Sequence, residues 1–158
     1  TPAEIMTYAA RVLTTIDPTQ QPPTSLRHNN IAPVALRTAP VDLAETAVRT
    51  ASRGDLSGLT AIVVPDRLFD DVSKAALRLD PATAPRVMRV GSAKGLEFDN
   101  TVLVEPDEII AQSARGHSDL YVALTRATQR LMVVFSAELP DSLADLPRVD
   151  EPESGGSS

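Results

Sequence analysis

The sequence has no cysteine and no tryptophan, and only two tyrosines and three phenylalanines among its 158 residues. The lack of thiols removes disulfides and thiolate metal sites, and it fits a cytosolic protein. With aromatics at 3%, the core must be built from Val, Leu, Ile and Ala. No run of 18 or more apolar residues is present, and no basic-then-apolar leader, so the sequence reads with neither a membrane span nor a secretory signal. Positive charge is also scarce. Fifteen Lys and Arg stand against 21 Asp and Glu, for a net charge of −6. Neutralising phosphates takes a basic surface, so a free-standing nucleic-acid binder is disfavoured and any such contact would be local or shared. Finally, no GxxxxGK[ST] phosphate loop occurs, and no acidic strand end reads as a magnesium site.

What is present is a globular composition, 42% hydrophobic and 23% charged. A chain of this length makes one domain that buries about two-thirds of the surface its unfolded form exposes. Apolar spacing at Ile5, Tyr8, Ala9 and Val12 predicts a helix over 2–13, with Thr1 as N-cap and Pro2 at the first helical position. The proline-dense run DPTQQPPT then predicts a connector that continues to residue 33. Beyond it the chain alternates. Strands are expected at 34–38, 59–65, 86–90, 100–105 and 131–136, and helices at 42–52, 66–79 and 118–128. That order implies an α/β fold with a mostly parallel, helix-covered sheet. The domain is expected to span 1–140, and 141–158, ending PESGGSS, to form a solvated tail.

Two stretches carry chemistry. Residues 91–99, GSAKGLEFD, lie between two strands, and such a segment can present ligand-binding groups at the carboxyl edge of a sheet. Gly91 and Gly95 allow positive φ or close backbone approach, so amides near Gly95 can point at phosphate. Glu97 is a poor phosphate partner but a good acceptor for ribose hydroxyls. A plain turn with solvated Lys94 and Glu97 is the alternative. Residues 119–130, DLYVALTRATQR, read as a helix that buries Leu120, Ala123, Leu124 and Ala127 and leaves Asp119, Val122 and Arg126 on one flank. A forked, always-charged Arg126 suits a transferring phosphoryl group, though an exposed arginine is commonly just solvated.

Together, SAKGLEFD followed by LYVALTRA resembles motifs V and VI of the UvrD/Rep-like superfamily 1 helicases. Residues 1–5 are similar to those just after the motif IV arginine of that family, so the sequence would begin inside or just past motif IV. The resemblance implies a RecA-like second motor domain without its own phosphate loop. It further implies that Arg126 is an arginine finger on the γ-phosphate of ATP, that Gly95 and Glu97 contact γ-phosphate and ribose, and that Ser92 and Lys94 face phosphate or nucleic acid. Tyr121 and Thr125 are expected to pack or orient. The Mg²⁺ ligands and phosphate loop would belong to an N-terminal motor domain, so the piece alone would not hydrolyse ATP.

Two departures narrow the resemblance. Ninety residues precede Gly91, which leaves no room for the large 2B insertion of UvrD-type helicases. Gly91 stands where their motif V commonly has histidine, and Arg115, Gly116 and His117 stand where an acidic-arginine run is usual. The pattern is most similar to the HelD family of RNA polymerase-associated ATPases, which implies RNA polymerase as partner and leaves DNA contacts in doubt. Elsewhere, His28 and His117 are isolated and predict no metal site. The acidic group Glu105, Asp107 and Glu108 is expected to cap the helix that follows it. Arg37, Arg49, Arg53 and Arg67 are too scattered to form a nucleic-acid track.

Overall fold

The apolar runs become five strands: β1 (Val34–Arg37), β2 (Thr60–Val64), β3 (Arg86–Arg89), β4 (Phe98–Val104) and β5 (Ala127–Phe135). In the computed structural model, which describes residues 1–149, they form one sheet in the order β1-β5-β4-β2-β3. Every pairing is parallel. The expected α/β architecture is what the chain adopts. Central strands buried on both faces need continuous apolar sequence, and residues 61–64, 102–104 and 131–135 supply it.

The helices are α1 (Ala3–Ile16), α2 (Leu43–Ala51), α3 (Phe69–Ala76), α4 (Pro106–Ala111) and α5 (Gly116–Leu124). From β1 the chain steps through β2 to β3 at one edge, and its crossovers place α2 and α3 on one face with Leu43, Ala47, Leu68 and Val72 packed down. It then reverses to β4 and β5. Right-handed crossovers in the opposite direction require the other face, where Ile5 and Val12 of α1, Ile109 of α4, and Leu120 and Leu124 of α5 form a second core. No helix among the described residues is long and apolar enough to cross a membrane.

Several boundaries differ from expectation for local reasons. Pro2, not Thr1, is the N-cap of α1, with extended backbone and its carbonyl accepting the Ile5 and Met6 amides. The Thr1 hydroxyl instead donates to the Thr125 carbonyl at 3.0 Å. The acidic group does not cap with its side chains. Glu105 is the N-cap residue of α4 but sits at φ 47°, and its buried carboxylate accepts the Ser136 amide (2.7 Å) and hydroxyl (2.8 Å), tying the ends of β4 and β5 together. Glu108 forms a bidentate pair with Arg67 (2.9 and 2.7 Å).

The solvated tail does not begin at residue 141. A 3-10 turn at Asp141–Leu143 buries Leu143 and Leu146, and the chain then runs beside β1, where the Ala35 amide donates to Pro147 and the Val149 amide to Ala35. Two leucines three apart on a short turn cover the end of the α1 core. The remainder of the expected tail lies outside the described residues.

Candidate functional site

Between β3 and β4 the chain must return from the carboxyl end of one parallel strand to the amino end of another, and residues 90–97 make that journey. Buried Val90 and Ala93 fix the segment against α5. Residues 93–96 form a type II turn, with Lys94 at φ −61°, ψ 132°, Gly95 at φ +77°, and the Leu96 amide donating to Ala93 at 3.1 Å. A Cβ on Gly95 would meet nothing within 4 Å, so backbone conformation and not space calls for glycine there. Gly91 has neither a positive φ nor a close neighbour. Ser92, Lys94 and Glu97 are exposed, and the Glu97 carboxylate engages no described residue.

The residues that follow are scaffold. Asp99 accepts the Leu59 amide at 2.8 Å and closes over Gly58, where a Cβ would lie 2.2 Å from its Oδ2. The Asn100 side chain donates to Ser57 and Thr60. Both hold the entry to β2 against the start of β4.

The expected helix over 118–128 is cut short. α5 ends at Leu124 and β5 already begins at Ala127, so Arg126 lies in the turn between them and not on a helical flank. At the helix end the Thr125 hydroxyl donates to the Tyr121 and Val122 carbonyls (3.0 and 3.1 Å), as threonines within α1 and α2 do to carbonyls four residues back. Sheet pairing then takes over, the Phe98 amide donating to the Arg126 carbonyl at 3.0 Å. The register shifts between Phe98 and Asn100, leaving an extra residue in β5 just past Arg126. At this bulge the Thr128 carbonyl accepts Arg27 and the Gln129 carbonyl accepts Asn29, which ties the proline-rich connector down.

Within that turn the Arg126 guanidinium is half-buried and braced at three points. Nε donates to the Val122 carbonyl (3.0 Å), Nη1 to the Leu96 carbonyl (3.1 Å), and Nη2 to the Thr125 hydroxyl (3.2 Å). Arginine has five N–H donors, so one on each terminal nitrogen is left over. None of the three acceptors is a carboxylate, and the cation stays unneutralised by its own partners. The result is an oriented fork with two spare donors, which can accept a tetrahedral oxyanion.

The two sequence stretches thus meet. Leu96, flanked by Gly95 and Glu97, accepts from the Arg126 guanidinium, and Phe98 pairs with the Arg126 backbone. They meet at the amino-terminal edge of β4 and β5, however, not at the carboxyl edge expected of the first stretch. The reason is strand direction: residue 97 immediately precedes β4 and residue 126 immediately precedes β5. Ser92 and Lys94 lie on the same segment, and neither contacts the guanidinium. An apolar cavity of about 430 Å³ beside β1, lined by Val34, Leu36, Leu131 and Met132, includes none of these residues. Sequence reasoning missed the Leu96 carbonyl, which no side-chain pattern can signal. The contact of Thr125 with the guanidinium was visible only as a hydroxyl beside an arginine.

Residues 86–134 match the family model described as the UvrD-like helicase C-terminal domain. That span holds β3, the 90–97 segment, β4, α4, α5 and nearly all of β5, and so contains both stretches. No curated protein matches the sequence. Among solved structures, the fold is similar to the C-terminal domain of a possible DNA helicase from Lactobacillus plantarum WCFS1. The match has 17% identity and a TM-score of 0.65, and covers 94% of this chain and 96% of that one. Such a likeness is one of fold, and it runs through the whole α/β domain.

Proposed function

We propose that this domain is the second motor domain of a superfamily 1 helicase-like ATPase and contributes half of an ATP site. The observation that carries the reading is the Arg126 fork, braced on three neutral acceptors with two donors to spare, beside the Gly95 turn and a Glu97 carboxylate that is exposed and engages no other described residue. Arg126 would approach the γ-phosphate across a cleft and neutralise charge as the phosphoryl group passes to water. Glu97 would accept hydrogen bonds from ribose hydroxyls, and the turn at Gly95 would present backbone to the γ-phosphate. Ser92 and Lys94 would face phosphate or nucleic acid further along the segment. The phosphate loop and the Mg²⁺ ligands would come from an N-terminal motor domain of the same protein. ATP then draws the two domains together and hydrolysis releases them.

Within this class we favour action on RNA polymerase, as in the HelD family. From α1 the chain passes through the proline-rich connector and then β1, β2 and β3 to residue 90, and no accessory domain interrupts it there. A DNA helicase or translocase of the UvrD/Rep type is the second reading, favoured by the family match over 86–134. ATP-coupled, salt-sensitive unwinding by the full-length protein supports that second reading, and polymerase binding without unwinding supports the first. A purely protein-docking role is disfavoured by a braced but unneutralised arginine.

The test of the half-site is ATP turnover by the full-length protein carrying Arg126→Ala. Turnover should fall by about 10³-fold or more, with a smaller change in nucleotide affinity. Near-normal turnover overturns the assignment.

A further inference from the structure

We propose that Thr125 is the residue that positions Arg126, an inference that rests on reading Arg126 as the phosphate-contacting finger. Of the three acceptors that brace the guanidinium, two are backbone carbonyls, Val122 and Leu96, set by the end of α5 and by the type II turn at Gly95. The Thr125 hydroxyl is the third, and the one that a side-chain substitution can delete. It has a single proton, and that proton faces the Tyr121 and Val122 carbonyls at 3.0 and 3.1 Å, which also accept the Thr125 backbone amide. The oxygen lone pairs are thereby left toward Nη2 of Arg126 at 3.2 Å.

Three further features fix the hydroxyl itself. β-Branching restricts its rotamer. The adjoining Thr125 carbonyl accepts the Thr1 hydroxyl at 3.0 Å, which pins the peptide from the opposite side. The turn also sits directly against the β5 bulge, so its backbone cannot relax along the strand without losing the Phe98 to Arg126 pairing. Thr125 therefore acts through Arg126 and contacts no phosphate. Its job is to hold the plane of the guanidinium so that the directions of the two spare N–H groups are fixed before ATP arrives, which removes a reorganisation cost from the chemical step.

The test is steady-state ATP hydrolysis by the full-length protein carrying Thr125→Val, Thr125→Ser and Arg126→Ala, and by the Thr125→Val/Arg126→Ala double variant. Valine keeps the shape and deletes the acceptor, so kcat should fall about tenfold with KM for ATP changed less than about twofold. Serine keeps the hydroxyl and should return kcat to within about twofold of the parent. If Thr125 works through Arg126, Thr125→Val should produce no further loss once Arg126 is alanine. The proposal is overturned if Thr125→Val leaves kcat unchanged, if serine fails to rescue it, or if valine costs the same factor in the Arg126→Ala background. That last outcome would mark a structural effect independent of the finger. Near-normal turnover by Arg126→Ala itself would instead sink the finger assignment on which this one rests.

Discussion

Two glycines near the site show how differently one residue type can be required. At Gly95 the constraint is conformational: φ is +77° and the space around a Cβ is empty. Alanine there should cost about 1 kcal/mol in urea unfolding, because a left-handed residue with a side chain is strained. It should also disturb the direction of the Leu96 carbonyl on which Arg126 leans. At Gly58 the same strain, φ +86°, is compounded by contact with the Asp99 carboxylate. Gly58→Ala should therefore destabilise more than Gly95→Ala, and the ordering of the two unfolding free energies checks this directly. Gly95 was legible in the sequence because a small residue after lysine in a strand-to-strand segment asks for a turn. The open surroundings of Gly91 were not, since nothing local distinguishes a glycine that is needed from one that is tolerated. The Glu4 carboxylate illustrates a milder effect. It lies below its ordinary range, first through its own backbone amide and also through the amides of Asn29 and Asn30. A lowered pKa means that the folded state favours the charged form. The associated stability is thus present above the ordinary glutamate value and lost as pH falls through the folded one. Glu4→Gln should flatten that acid limb, with a small loss of stability at neutral pH that disappears in acid.

At the scale of elements, the lesson lies in α5 and β5. Leu120, Ala123, Leu124 and Ala127 have helical spacing, and all four are buried, yet the last belongs to a strand. Periodicity could not separate the two, because a helix end and the strand that follows it can each direct one apolar residue to the same core. What decided the boundary was a non-local contact, the parallel pairing of Phe98 with Ala127. The acidic group after β4 was read correctly in part, since Asp107 and Glu108 lie in the first turn of α4. An N-cap position suggests a side chain turned toward its own helix, but Glu105 reaches across to Ser136, 31 residues away. Glu105→Ala should leave the Ser136 amide without its partner at a buried strand end, costing about 2 kcal/mol in equilibrium unfolding. Glu105→Gln should recover part of that loss, because an amide oxygen can still accept one of the two bonds.

For the whole molecule, the alternation of strands and helices was legible because each apolar run was short and flanked by polar or turn residues. The strand order was not, and with it went the edge at which the site lies. The sequence reads residues 91–99 as a strand-to-strand segment and Arg126 as a helical flank, and only the all-parallel pairing through β2, β4 and β5 reveals that residue 97 and Arg126 converge at the amino-terminal edge. The extent of the domain was also underestimated. Leu143 and Leu146 are buried against the α1 core, so ending the chain after residue 140 should expose that core and lower stability by several kcal/mol. Thermal unfolding of the shortened domain would show it.

The central claim is that Arg126 acts as an oriented fork, not as a mere positive charge, and ATP turnover by the full-length protein with Arg126→Lys probes that point most directly. Lysine keeps the charge but cannot hold three internal acceptors and still offer two coplanar donors. Turnover should fall by about 10²-fold or more, approaching the Arg126→Ala level. A lysine variant that works within about threefold of the parent would contradict the account.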